Sequence, residues 1–133
     1  MDFADLDAII ARAEDNWNAL QRAAMDEIMR CQAVVGPSAP RVIVKWDVTG
    51  LHAGWCRYGR NGEPSILRLN PHIARHEGDE YLNTVAHEYA HAVIGHNHGR
   101  PHGEAWQMLM WRFGHIPNRC HSYQSAQRAR NRR

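Results

Sequence analysis

Apolar residues recur at three- and four-residue steps from Phe3 through Leu6, Ile10, Ala13, Trp17, Leu20 and Ala24 to Ile28. That is the period of an amphipathic helix. It predicts a helix over residues 3 to about 33, with Asp15-Asn16 as a candidate break. The GPSAP stretch at 36–40 ends it, because glycine and two prolines cannot continue a helix. RVIVKWDV, 41–48, switches to alternation with β-branched residues and reads as a strand. A second strand is expected over 53–58 and a third over SILRLN, 65–70. Between them Asn61-Gly62 is a hairpin turn signal. Asn70-Pro71 pairs an N-cap with Pro at the first helical position and opens a short helix through about His76. A helix from Gly78-Asp79 to about Ile94 follows, with Asp79 as cap and Gly95 as stop. A last helix over about 102 to 113 closes at Gly114, with Pro117 beyond. The pattern predicts an α+β fold: an N-terminal helix, a small three-stranded sheet, and two further helices of ordinary length.

The helix over 79–94 carries the chemistry. Its apolar stripe is Leu82, Val85, Ala86, Tyr89 and Val93. At about 100° per residue, His87 and His91 lie roughly 160° from that stripe. They are one turn apart, so their rings stand side by side and can meet one metal ion. Glu88 flanks them. HEYAH thus fits H-E-x-x-H, two zinc ligands and a general base. The bland alternative is an exposed helix that happens to be rich in histidine. Five of the ten histidines fall within HEYAHAVIGHNHGRPH, 87–102. A third ligand is therefore close at hand. The spacing HExxHxxGxxH would need Gly at 94 and His at 97, where Ile94 and Asn97 stand. Gly95 and His98 each come one residue late. His102 opens the stripe Trp106, Leu109, Met110, Phe113 of the last helix. If that stripe packs on the motif helix, it carries His102 toward the metal. His102 is the favoured third ligand and His98 the alternative; His96 reads as a loop residue. His52, His72, His76 and His115 read as ordinary surface or core residues.

Composition changes this picture in three places. A chain of 133 residues is long enough for one compact domain with a core. Cys31, Cys56 and Cys120 form no CxxC pair, which fits a reducing compartment. The N-terminus lacks the basic start and apolar run of a secretory signal, and no stretch reaches membrane-spanning length. A soluble, intracellular, cytoplasmic protein is expected. The net charge of +2 is uneven. Residues 119–133 hold Arg119, Arg128, Arg130, Arg132 and Arg133 and no acid. Without them eleven basic residues face fourteen acidic ones, leaving the body at −3. Arg128, Arg130, Arg132 and Arg133 are candidate DNA contacts; the other reading is a solvated end.

The order SILRLNP, TVAHEYAHAV, GRPHGEAW, CHSY resembles the SprT-like (SprT/Spartan) zinc metalloprotease domain over roughly 41–123. The resemblance implies a zincin-like fold with one Zn²⁺ held by His87, His91 and His102, and Glu88 in the catalytic position. It divides the chain into a metalloprotease domain, 1–123, and an Arg-rich tail, 124–133. It implies peptide-bond hydrolysis by Glu-assisted attack of a zinc-activated water on protein substrates, including proteins crosslinked to DNA. The alternative is a DNA-associated zinc-binding adaptor that cleaves nothing. Many bacterial relatives continue into a zinc ribbon of paired cysteines, a pattern this sequence lacks. Arg119, His121 and Tyr123 are candidates for a second electrophile. A strand edge within 41–70 is a candidate seat for an extended peptide.

Overall fold

A computed structural model describes residues 2–95 and 101–118. Helix α1 runs Phe3–Val35 without the break expected at Asp15-Asn16. Asp2 caps it, accepting from the Asp5 backbone N–H at 2.9 Å while the Asp5 carboxylate accepts from the Asp2 N–H. The C-terminal half of α1 supplies its buried residues, Ala24, Glu27, Ile28 and Cys31, and Trp17 sets its ring edge-on to Trp46 at 4.9 Å, with Arg75 over it. Before Trp17 the same stripe continues into solvent, with Phe3 86% exposed.

Three strands follow: β1 (Val42–Lys45), β2 (Gly54–Arg57) and β3 (Ser65–Leu69). Their spatial order is β1-β3-β2, with β3 parallel to β1 and antiparallel to β2. The β2–β3 hairpin turns at Asn61 (φ 53°) and Gly62 (φ 84°), and the Glu63 N–H donates to the Arg60 carbonyl at 3.0 Å. Two successive left-handed residues define the primed turn that Asn-Gly favours. Alternation sends Val42, Val44, Gly54, Cys56, Leu67 and Leu69 toward the helices. Ile43, Trp55 and the Arg68–Asp47 ion pair stay on the open face.

Helix α2 (Pro71–Glu77) starts at Asn70, whose side chain accepts from the His72 and Ile73 N–H groups. The Asn70 amide also donates to the Gly50 and His52 carbonyls. One buried side chain thus ties a loop, a strand end and a helix start together. Asp79 does not cap the next helix. Residues Gly78–Tyr81 form a 3-10 turn, and helix α3 spans Leu82–Ile94. Tyr81 is fully buried, with its hydroxyl donating to the Ala53 carbonyl and accepting from the Asn70 N–H. That anchor sets where the regular helix begins. The last helix, α4, is Glu104–Arg112, so His102 stands in the turn before it. Among the described residues no helix is long and apolar enough to cross a membrane.

Helix α3 is central, packed by α1, β2, β3 and α4. Every residue from Thr84 to His91 is buried, whereas the one-sided stripe left His87 and His91 facing away from the core. The difference comes from α4, which brings Trp106, Leu109 and Met110 over the second face.

A polar knot joins α1 to the segment after α4. Glu27, 8% exposed, accepts from Arg30 and from His115 Nε2 at 2.7 Å. Burial alone would raise the Glu27 pKa, but the hydrogen bonds from His115 and Arg30 outweigh it and hold it at about 2. A depressed carboxylate stabilises the fold above its unfolded pKa near 4.5 and ceases to do so as pH falls toward 2. The full contribution is about 3 kcal/mol, and roughly 2 kcal/mol of it is gone by pH 3. Urea denaturation should therefore show the gap between wild type and Glu27→Gln narrowing from pH 7 to pH 3. A gap independent of pH would contradict it.

Candidate metal centre

His87 and His91 project from one side of α3, one turn apart. The chain leaves α3 at Gly95, and the turn at residues 101–103 returns His102 to the same place. The three Nε2 atoms face one another at 3.2, 3.0 and 3.2 Å. Ligands of a tetrahedral ion with bonds of 2.0–2.1 Å stand about 3.3 Å apart, close to this triangle. Among the described residues these three form the group of His, Cys, Asp or Glu side chains positioned to bind a metal ion.

The protonation pattern suits a cation. The His87 Nδ1 lies 3.0 Å from the Asn118 carbonyl. A carbonyl only accepts, so Nδ1 carries a proton, and the neutral form of the ring then has its lone pair on Nε2, facing the triangle. Burial, and then the nearby His102, lower the His91 pKa to about 4, so this ring is neutral at pH 7. With all three rings neutral and protonated at Nδ1, one positive ion would meet all three Nε2 lone pairs at once.

Trp106 forms the wall behind the rings. It is fully buried, and its ring lies 4.7 Å from His87, 5.7 Å from His91 and 4.8 Å from His102 between centroids. Its indole N–H donates to the His87 carbonyl at 3.3 Å. Gln107 Nε2 donates to the His102 carbonyl at 3.0 Å and steadies the turn.

Glu88, next to His87 on α3, is buried within electrostatic reach of Cys56 and Tyr58. A side chain at Gly54 would press on the Arg68 carbonyl at 3.0 Å and on Thr84 at 3.4 Å. Glycine there lets β2 lie close against α3. Cys56 and Tyr58 continue that inner row, and both feel the Glu88 charge. Glu88 is 4% exposed, and burial pushes its pKa up to about 8. A nearby divalent cation acts in the opposite sense, favouring the carboxylate.

The structure thus gathers His87, His91 and His102, with Glu88 next to the first. The alternative ligand His98, and His96, lie outside the described residues. So do Arg119, His121 and Tyr123 and the tail arginines Arg128, Arg130, Arg132 and Arg133. The Asn118 carbonyl was invisible in the sequence, since any residue supplies one. The placing of Trp106 was foreshadowed by its position four residues after His102.

The sequence model of the SprT-like family matches residues 18–126 of this chain. The chain belongs to the SprT-like family. Its SprT-like relatives include Protein SprT of Pseudomonas aeruginosa (strain PAO1), 39% identical over 100 residues. That alignment takes in 71% of this chain and 58% of the relative. Protein SprT of Pseudomonas paraeruginosa (strain PA7) is 38% identical over 98 residues, 70% of this chain and 57% of the relative. Protein SprT of Pseudomonas fluorescens (strain Pf-5) is 36% identical over 94 residues, 67% and 55%. This SprT-like chain therefore spans somewhat over half the length of these relatives. No solved structure matches it.

Proposed function

We propose that this protein is a zinc-dependent metallopeptidase. The observation that carries the reading is the triangle of Nε2 atoms at 3.0–3.2 Å with a carboxylate on the adjoining residue. Three histidines are a ligand set for a catalytic zinc, which keeps a further position open. When bound, zinc supplies Lewis acidity and lowers the pKa of a water toward neutrality. His87, His91 and His102 would hold the ion. Glu88 takes the proton of the attacking water on a carboxylate oxygen and passes it to the leaving amine. Trp106 and the buried flank of α3 exclude bulk water from one side. Strand β2 is an edge of the sheet beside Glu88, and an extended peptide can align along it. Proteins bound or crosslinked to DNA are the substrate class proposed, with Arg128, Arg130, Arg132 and Arg133 supplying phosphate contacts.

Metal analysis of the purified protein tests this first. We expect about one zinc per chain, lost on chelation and restored by zinc. His102→Ala should bind zinc far more weakly than wild type, and His98→Ala should bind it normally. The reverse pair of results would move the third ligand into the loop, and no zinc in wild type would end the proposal.

A further inference from the structure

The segment 114–118, which ends at the carbonyl holding His87, has little apolar burial to fix it. None of its residues is fully buried, and Ile116 is 62% exposed. Polar clamps hold it instead. His115 Nε2 meets the Glu27 carboxylate at 2.7 Å, 88 residues away in sequence. Arg30, paired with the same carboxylate, donates to the Phe113 carbonyl just before the segment. The His115 N–H donates to the Met110 carbonyl at 3.0 Å. Asn83 Nδ2, on α3, donates to the Ile116 carbonyl at 3.1 Å. The Asn118 N–H donates to the Ile116 carbonyl at 2.9 Å, and the Asn118 carbonyl then accepts from His87 Nδ1 at 3.0 Å.

We propose that Glu27 and His115 are positioning residues of the metal centre. Their pairing holds the 114–118 segment so that the Asn118 carbonyl keeps the His87 ring turned with Nε2 toward His91 and His102. The chain runs from the buried half of α1, through a side-chain pair and a short irregular segment, to one nitrogen of one ligand. A partner of the ligand's remote N–H fixes both its tautomer and its orientation. Here that partner is the backbone carbonyl of an exposed residue, so its position depends on the polar clamps of the segment, of which the Glu27–His115 pair ties it to α1. The pair is thus more than a stabilising bridge between the first helix and the end of the domain. This inference rests on the metal-binding reading above for its functional meaning.

The test compares wild type with His115→Ala, His115→Gln and Asn83→Ala. Two quantities are read: the zinc dissociation constant, and the NMR signal of the His87 Nδ1 proton in metal-free protein. We expect His115→Ala to weaken zinc binding about tenfold, the lower end of the range for outer partners of metal ligands. Its His87 Nδ1 proton should broaden by exchange with water. Glutamine at 115 keeps an N–H donor for Glu27 and should restore zinc affinity to within about threefold and recover the signal. Asn83→Ala releases the same segment from its other clamp. It should show the same broadening; if His115→Ala does not fold, Glu27→Gln, which weakens the same pair, is read in its place, and unchanged zinc affinity and proton signal there would overturn the proposal. Wild-type zinc affinity with an unchanged proton signal in the variants would overturn the proposal, as would a glutamine variant no better than alanine. A wild-type protein that takes no zinc would instead overturn the metallopeptidase reading. The proton signal of the metal-free protein would still judge whether His115 positions Asn118.

Discussion

Replacing Glu88 by Gln is expected to leave zinc bound and to lower peptide cleavage by about 10²–10⁴-fold, the usual contribution of one positioned general base. Glutamine keeps the volume and one carbonyl oxygen of glutamate, so the packing around it should survive. What it loses is the ability to take up a proton. Glu88 is not among the three converging nitrogens, so metal content should stay at the wild-type level. Its setting also argues against a merely structural carboxylate. A side chain only 4% exposed, beside a thiol and a phenol and raised by burial to about 8, is costly to keep charged. Neither Cys56 nor Tyr58 offsets that cost, whereas a divalent ion beside His87 would. Zinc content and cleavage of an unstructured protein substrate, measured on both forms, separate the outcomes. Cleavage by Glu88→Gln at the wild-type rate would remove Glu88 from the role of base. A wild-type protein that holds zinc and cuts nothing favours the adaptor reading.

The pattern of apolar positions showed most of this fold, and its failures have physical causes. Helix α1, the three strands and the Asn61-Gly62 turn were legible because each rests on local signals: period, β-branching and a left-handed dipeptide. The parallel pairing of β1 with β3 was not, since it depends on which strands meet after a long connection. The burial of α3 on all sides was missed for a related reason. A stripe computed from one helix cannot register a second helix that covers its other face, and here Trp106 does so. The convergence of three histidines was legible in two steps. His87 and His91 follow from helical spacing. His102 follows only if α4 folds back, and a stripe of Trp106, Leu109, Met110 and Phe113 gives it reason to. His115 was read as ordinary because its partner, Glu27, is distant in sequence. Asp79 was read as a cap because the buried hydroxyl of Tyr81, which sets the true start of α3, has no local signature.

Trp106→Ala is expected to have the largest effect on stability, about 3–5 kcal/mol, as for an aromatic residue removed from a packed core. It should also weaken zinc binding by an order of magnitude or more. The two effects have different origins. The first is loss of buried surface and the cavity left between α3 and α4, where Trp106 is fully buried. The second concerns freedom of the ligands. One indole touches all three imidazoles, with its plane 22° from that of His91 and 68° and 73° from those of His87 and His102. With that wall gone, each ring gains rotamers that turn Nε2 away, and the ion must then select the converged arrangement. Trp106→Phe separates the origins. Phenylalanine keeps most of the wall but has no N–H for the His87 carbonyl. That acceptor is on the helix backbone, and the bond at 3.3 Å is long, so its loss should cost about 1 kcal/mol or less. The Phe variant should therefore lie near wild type in zinc affinity and between wild type and alanine in urea stability. If the alanine variant instead lost stability while binding zinc as tightly as wild type, the three histidines would be held by α3 and the 101–103 turn alone. Trp106 would then be a core residue that merely adjoins them.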